Sequence, residues 1–243
     1  SGMGGAINTN TTLGSSNFDG SIQSTVKANT TAGFSIITYT GNGSNGSSVG
    51  HGLGVTPDAV IIKRRDSTGN WIFESPHTYN GRGMYLNFNN GSDSAGTDTT
   101  SRSSTLVTFD NSSDSNRRVN HSGDTYVMYC FSNVASYSKI GKYSGNGSTD
   151  GAFEYTGFRP AWMLIKRTDS NGNWFILDNK RDTFNEVTKD LYPNTNGSET
   201  DNPNFLDFLS NGFKLRTVGT SVNAGTMIYI AFAESPLKNS RAR

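Results

Sequence analysis

Apolar and polar residues alternate along this chain in short runs that glycine, asparagine and serine interrupt. Residues 33–40 are rich in β-branched and aromatic side chains and end at a Gly-Asn-Gly turn, which predicts a strand closed by a tight turn. Residues 59–63 and 162–166 are continuous apolar runs that each follow a proline closely. Runs of that length are typical of central strands buried on both faces. The pattern therefore predicts many short strands.

The turns after these two apolar runs predict two hairpins. Residues 66–70 and 169–173 share the order Asp-Ser-x-Gly-Asn, and each turn is followed by a tryptophan, Trp71 or Trp174. Glycine at such a turn adopts positive φ without steric cost, so the chain can reverse and pair with itself. A second strand should begin at each tryptophan.

Two segments of the second half favour short helical turns instead. Residues 182–190 and 203–210 lack a clear alternation, and Pro203 suits a first helical position, with Gly212 just beyond the end. We therefore expect a few helical turns there among the strands.

Blocks of the first half recur about 100 residues later in the same order, which is the mark of an internal duplication. The matched blocks are Tyr39–Ser44 with Tyr143–Ser148, Ile62–Trp71 with Ile165–Trp174, and Val127–Phe131 with Ile228–Phe232. Within the last block Cys130 aligns with Ala231, so that position should hold a small buried side chain rather than a reactive thiol.

These observations predict an all-β fold of two tandem antiparallel β-sandwich repeats, jelly-roll or concanavalin-like, with the few helical turns noted above. Residues 33–136 and 137–238 would be the two repeats. Residues 1–32 would be a polar lead-in, whose first five residues resemble an expression remnant and whose Phe18 and Ile22 pack on the first repeat. Residues 239–243 would be a basic tail.

Composition narrows the function classes. Of 243 residues, 28 are glycine and 33% are hydrophobic, while 11% are aromatic, so the core should be thin but sufficient for folding. The net charge of +1 provides no basic footprint for nucleic acid. No run approaches the roughly 18 apolar residues of a membrane span, so membrane insertion is not expected.

The repeated tryptophan hairpins are the candidate binding site. Trp71 with Asp66 and Asn70, and Trp174 with Asp169 and Asn173, place a flat ring beside polar side chains, as in a lectin-like groove. The alternative is that each tryptophan anchors its hairpin in the core, which the repeated position favours. Both interpretations stay open at this point.

Charged residues beside the hairpins have a similar pair of interpretations. These side chains could face an acidic glycan or a partner protein. Alternatively, they emerge into solvent at a strand end. They are Arg64 and Arg167, with the neighbouring Lys63, Arg65 and Lys166.

Calcium is the one ion that the hairpin turns admit, through Asp66 and Asp169. Oxygen side chains alternate along both turns, but the later bidentate glutamate and fuller carboxylate count of a calcium loop are missing. We expect no cofactor. Because no pair of acids, nucleophile–base set, phosphate loop or His/Cys cluster occurs in a recognisable motif, we also expect no enzymatic activity.

Several segments together resemble a family of duplicated domains in tailed-phage virion proteins. They are residues 17–27, 33–44, 49–54, 156–162 and 231–236, and the resemblance covers nearly the whole chain from Asn17. It implies a virion location, at the end of a tail fibre or similar appendage and often in a marine phage, and a role in attachment. It supplies no catalytic or binding residues.

The leading hypothesis is thus an appendage module that binds a host-surface glycan or receptor. The alternatives are a structural or decoration protein that contacts other virion proteins and, more distantly, a polysaccharide-degrading enzyme. A homo-oligomer is compatible with the first two roles, because weak glycan binding gains from multivalency.

Overall fold

The computed structural model describes residues 14–78, 82–92, 99–110 and 119–235. All regular secondary-structure elements within these residues are β-strands. The fold is all-β, as the sequence predicts. The first five residues and the basic tail 239–243 lie outside the described residues. The described residues fall into two compact units.

The first unit contains ten strands in two antiparallel sheets. They are β1 (Ser15–Asn17), β2 (Ser24–Asn29), β3 (Phe34–Thr40), β4 (Ser48–Gly50), β5 (Ala59–Arg64), β6 (Ile72–Glu74), β7 (Met84–Tyr85), β8 (Thr99–Arg102), β9 (Leu106–Phe109) and β10 (Thr125–Phe131). One sheet has the order β1-β2-β3-β10-β5-β6-β7 and the other β4-β9-β8.

The second unit contains eight strands, also in two antiparallel sheets. They are β11 (Ser138–Asn146), β12 (Phe153–Tyr155), β13 (Pro160–Arg167), β14 (Trp174–Asp178), β15 (Val187–Asp190), β16 (Thr200–Leu209), β17 (Gly212–Leu215) and β18 (Ala224–Ala233). The sheet orders are β11-β18-β13-β14 and β12-β17-β16-β15.

Each unit buries its own apolar layer between its two sheets, so each is sandwich-like. In the first unit Ile37, Ile62 and Met128 of the larger sheet pack with Val107 and Phe109 of β9. The second core is built the same way from inward residues of β13, β14 and β18 against β16 and β17. Cys130 is fully buried in the first core, and burial raises the pKa of its thiol to about 12, which confirms the structural role predicted for it.

The strand orders of the two units correspond. The order β3-β10-β5-β6 matches β11-β18-β13-β14, and β4-β9-β8 matches β12-β17-β16. Both predicted hairpins, β5–β6 and β13–β14, are present. Corresponding hydrogen bonds recur as well, since the Tyr39 hydroxyl donates to Val119 O (2.6 Å) and the Tyr143 hydroxyl to Val222 O (2.7 Å). That one ancestral segment was duplicated stays an interpretation of this match.

The predicted helical turns are wrong. Residues 187–190 form β15 and residues 200–209 form β16, with Pro203 inside the strand. Strand pairing makes residues 200–209 extended rather than helical, because β16 lies between β15 and β17. Its alternate residues Leu206 and Phe208 enter the core. Local propensity is a weak preference that tertiary packing overrides.

The described part of the lead-in, residues 14–32, contributes two strands to the first sheet. Its strands β1 and β2 pair with each other and β2 pairs with β3. Ile22 is buried in the core as predicted, but Phe18 is 74% exposed and does not pack on the repeat.

The two compact units are not contiguous along the chain. The first unit ends at Ser132, and the segment Leu86–Ser92, which follows β7, belongs to the second unit. Its backbone explains the assignment, because Ser92 N donates to Thr168 O (2.6 Å) and Gly172 N donates to Asn89 O (2.8 Å). The segment therefore lies along the β13–β14 hairpin.

Candidate functional site

Two neighbouring rows of side chains lie on the outer face of the seven-stranded sheet. This is the face that points away from the first core. Thr40 pairs with Thr125 in one row, and Thr38 pairs with both Thr25 and Val127 in the next. Because successive side chains on a strand alternate between faces, these residues point away from the buried Ile37 and Met128 of the same strands. The register thus gathers hydroxyl groups from three strands on one surface.

An open pocket of about 250 Å³ lies at this surface. Its outward-pointing lining comes from Gln23, Thr25, Thr38, Thr40, Arg65 and Thr125. Hydroxyl and amide groups both donate and accept hydrogen bonds, and a guanidinium donates several in one plane. The pocket can therefore bind a polar ligand rich in hydroxyls.

Trp71 extends the second row away from this pocket. Val127 pairs with Lys63 on β5, and Ile62 pairs with Ile72 on β6, so Trp71, directly before Ile72, lies beside Lys63. Its side chain is 39% exposed. An aromatic ring that is partly exposed offers a flat apolar surface on the same sheet face as the polar pocket.

Arg64 and Asp66, two predicted site residues, hold the hairpin to the neighbouring strand. Arg64 Nε donates to Asp66 Oδ1 (2.6 Å) and Arg64 Nη2 donates to Asp124 Oδ1 (2.8 Å). Thr125 N donates to Asp66 Oδ2 (2.7 Å). The hydrogen bonds from Arg64, and then from Thr125, lower the pKa of Asp66. Both side chains serve the local structure, and Asn70 beside them is half-buried.

The second unit uses its corresponding residues in the same way. Arg167 Nε donates to Asp169 Oδ1 (2.8 Å) and Thr226 N donates to Asp169 Oδ2 (3.1 Å). Burial raises the pKa of Asp169, but the hydrogen bonds from Arg167 and Thr226 outweigh it and hold the pKa below its ordinary value. Asn173 accepts a hydrogen bond from Asn194 (3.0 Å). These residues therefore complete a loop rather than a ligand site.

Trp174 is 1% exposed, so it does not fit the predicted sugar-stacking role. Its backbone N donates to Asn194 Oδ1 (2.9 Å), and it pairs across the hairpin with Lys166, which is also buried. Burial, and to a smaller degree the charge of Arg167, lowers the pKa of Lys166 to about 8. The tryptophans at matched positions therefore differ in environment: burial of Trp174 fits the core-anchor interpretation, whereas Trp71 is partly exposed.

The weak calcium candidates, Asp66 and Asp169, are already engaged in their turns. Both oxygens of Asp66 accept hydrogen bonds, one of them from a guanidinium, and the same is true of Asp169. A cation would have to displace a positive charge that is already in place. In the described parts of the chain, no group of three or more His, Cys, Asp or Glu side chains could hold a metal ion.

A second exposed surface lies on β12, an edge strand of the second unit. Phe153 and Tyr155 are 45% and 64% exposed, and alternation places them on one face. They pair with Lys214 and Gly212 of β17. In the first unit the corresponding edge strand is covered, because Ile22 N donates to Ser48 O (2.9 Å). We call the Phe153 and Tyr155 surface the β12 edge.

A family model described as a domain of unknown function, DUF7483, matches residues 8–236. The chain belongs to the DUF7483 family. It has no match among curated proteins and none among solved structures. Among the described residues of this DUF7483 chain, no helix has the length and apolarity needed to cross a membrane.

Sequence reasoning missed two asparagines that close the loops of the DUF7483 fold. Asn120 Oδ1 accepts from Asn42 N (2.9 Å) and Asn120 Nδ2 donates to Ser44 O (2.9 Å). Asn223 makes the corresponding bonds with Asn146 N (3.0 Å) and Ser148 O (2.8 Å). A signal in the sequence could have identified these asparagines. Each follows a valine, Val119 or Val222, and this Val-Asn pair recurs although the loops around it are otherwise dissimilar.

Proposed function

We propose that this protein is a phage virion appendage module that binds a host-surface glycan through the outer face of its first unit. The observation that supports this proposal is a hydroxyl-lined pocket on the same sheet face as a partly exposed tryptophan, Trp71. A sugar presents hydroxyl groups at its edge and C–H groups on its faces. The threonines match the first and the indole ring matches the second.

The dimensions suit a short oligosaccharide rather than one small molecule. Neighbouring strands are separated by about 4.8 Å, and three such steps lead from Thr38 through Val127 and Lys63 to Trp71. The binding surface is thus about 14 Å long. One sugar unit could occupy the pocket while the next ones reach the ring.

An open surface of this kind predicts weak binding by a single copy. Shallow, polar sites lose most of their contact energy to desolvation and ordering, and several linked copies restore affinity through effective concentration. A virion appendage displays many copies, so the proposed location and the shallow site are consistent with each other. The virion location itself rests on the sequence resemblance.

Binding of the purified chain to polysaccharides of the host cell envelope tests this proposal. We expect Trp71→Ala to weaken binding at least about tenfold, which corresponds to roughly 1.4 kcal/mol, while a cooperative thermal melt shows that the variant is still folded. Phe184→Ala, at a highly exposed phenylalanine of the second unit, is the matched control and should bind normally. Equal binding by Trp71→Ala and the parent chain would exclude the site.

A structural role in the virion is the second candidate, and the β12 edge favours it. In the first unit the matching strand β4 is covered by the lead-in, where Ser48 N also donates to Ser21 Oγ (2.9 Å). No described segment pairs with the outer edge of β12. An open strand edge beside two exposed aromatic rings fits an extended segment of another virion protein, added as a further strand.

Self-pairing of two β12 strands is a poorer fit. Antiparallel pairing centred on Glu154 would place two Glu154 side chains opposite each other, and directly opposed like charges destabilise a strand pair. Burial already raises the pKa of Glu154, so a second carboxylate there would be costly.

Complex formation with each of the other purified proteins of the same virion tests the structural role. We expect one of them to co-sediment with the chain, and the double variant Phe153→Ser/Tyr155→Ser to lose that complex. Phe184→Ser serves as the control for a lost exposed aromatic ring. If the double variant retained the complex, the β12 edge would not be the contact.

A further inference from the structure

Arg65 is the basic group of the pocket, and its charge is not balanced locally. Its side chain is exposed and lines the pocket, and within the described residues no carboxylate forms an ion pair with it. The nearest acids along the chain and across the sheet, Asp66 and Asp124, are both engaged by Arg64. The guanidinium of Arg65 therefore keeps its donors available to a ligand.

The other side chains around the pocket add no negative charge. The outward-pointing lining consists of Gln23 and of threonines from β2, β3 and β10, and the charged side chain of β5 on the same face as Arg65 is Lys63, whose ammonium donates to Arg64 O (2.8 Å). One end of the binding surface is therefore positive, while its remaining groups are neutral hydroxyls and an amide.

The second unit shows that the fold does not need an arginine at this position. Thr168 corresponds to Arg65, and both make the same backbone bond, from Arg65 N to Thr125 O and from Thr168 N to Thr226 O, each 2.8 Å. Thr168 is buried and its hydroxyl donates to Thr226 O (3.0 Å). The positive charge is thus specific to the first unit, where the surface is open.

We propose that the glycan bound at this pocket is acidic and that a hexuronate carboxylate pairs with Arg65. The planar fork of a guanidinium matches a carboxylate through two parallel hydrogen bonds. Thr40 and Thr125, in the row that leads to Arg65, are placed to bind the hydroxyls of the same sugar. This inference rests on the proposed glycan-binding function and names its ligand class.

Binding to alginate, polygalacturonate and hyaluronan, each compared with its carboxyl-reduced form, tests the inference. We expect the parent chain to bind at least one acidic polymer and to bind its reduced form at least tenfold more weakly. Arg65→Thr, which copies the second unit, should lose a similar factor on the acidic polymer and a clearly smaller factor on the reduced one. Its dependence on salt concentration should also be shallower than that of the parent chain.

The variants separate failure of this inference from failure of the proposed function. If the reduced polymer bound as well as the acidic one, or if Arg65→Thr bound normally while Trp71→Ala did not, the glycan function would stand and the acidic ligand would be refuted. If the parent chain bound no acidic and no neutral polysaccharide, both would fall. A thermal melt of Arg65→Thr equal to that of the parent chain establishes that its fold is intact.

Discussion

The sheet with β3-β10-β5-β6 in the first unit corresponds to the sheet β11-β18-β13-β14 in the second. The outer faces of these two sheets have matching registers but differ in how far their side chains are exposed. In the first unit the row through Val127 and Lys63 ends at Trp71, which is partly exposed. In the second unit the row through Ile228 and Lys166 ends at Trp174, and all three side chains are buried. The strand pairing is the same, so pairing does not decide which face is available to a ligand.

The segment Leu86–Ser92 is one feature that distinguishes the hairpin of the second unit. It follows β7 in the chain but lies along the β13–β14 hairpin of the second unit. A side chain at Gly91 would put its Cβ 3.0 Å from the backbone N and O of Ser170, so glycine permits this close approach. The β13–β14 hairpin of the second unit thus has a distant segment of the chain against its turn.

The edge strands show the reverse arrangement. In the first unit β4 is covered by the lead-in, while in the second unit β12 is open and carries Phe153 and Tyr155. Each unit therefore has one covered and one open surface, and the open one differs between them. Two units with corresponding strand orders thus expose different surfaces.

The largest expected effect concerns the two tryptophans. Trp174→Ala should lower the free energy of unfolding of the second unit by about 3 to 5 kcal/mol, because it leaves a cavity and removes a fully buried ring. Trp71→Ala should cost less than about 1.5 kcal/mol in the first unit, since much of its ring already contacts water. Urea titration monitored by circular dichroism measures both values, and equal costs would contradict the difference in burial.

The next effect is a dependence on pH caused by Lys166. Below pH 8 its ammonium is charged in both the folded and the unfolded chain, so the cost of burying the charge is fully present. Between pH 8 and the unfolded pKa of about 10.4, the folded chain has released the proton and the unfolded chain retains it. The free energy of unfolding should therefore rise with pH, by at most roughly 3 kcal/mol.

Lys166→Met isolates that contribution. The variant lacks the titrating group, so the stability of the parent chain relative to the variant should rise between pH 8 and 10.4 and stay flat between pH 6 and 7.5. Urea titrations at a series of pH values provide the comparison. A relative stability that does not change with pH would show that the folded lysine is not perturbed.

The smallest effect tests what the units share. Asn120→Ala and Asn223→Ala each remove a buried amide that both accepts from and donates to the backbone of the opposite loop. We expect each to cost about 2 kcal/mol, because partners left unsatisfied in a buried site keep their desolvation penalty. Urea titration of the two variants should give similar costs. A large cost in one unit alone would mean that the loops differ as the outer faces do.

Much of the fold could be predicted from the pattern of residues. The continuous runs at 59–63 and 162–166, with the Asp-Ser-x-Gly-Asn turns, predicted both hairpins because these signals are local. The helical turns at 182–190 and 203–210 were wrong for the opposite reason. Those strands exist through pairing with partners that no local signal reveals.

The candidate site was harder to predict. The hairpin sequence led to Arg64, Asp66 and Trp71, yet the first two stabilise the hairpin. Arg65 was predicted only as a neighbour of Arg64. The face that a residue occupies at the end of a strand depends on the register, which the local sequence does not reveal. The threonines of the pocket come from strands about 15 to 100 residues apart in the chain, and only the assembled sheet brings them together.

The position of Leu86–Ser92 has a consequence during synthesis. Its partners, Thr168 and Gly172, are translated roughly 80 residues later, which at ribosomal speeds is a delay of about 4 to 16 s. The nascent first unit can close its own core in that time, but this segment has to wait. A ribosome that stalls before Thr168 would therefore present a folded sandwich with an undocked loop, and such a loop is the place where a protease or a chaperone would first engage the chain.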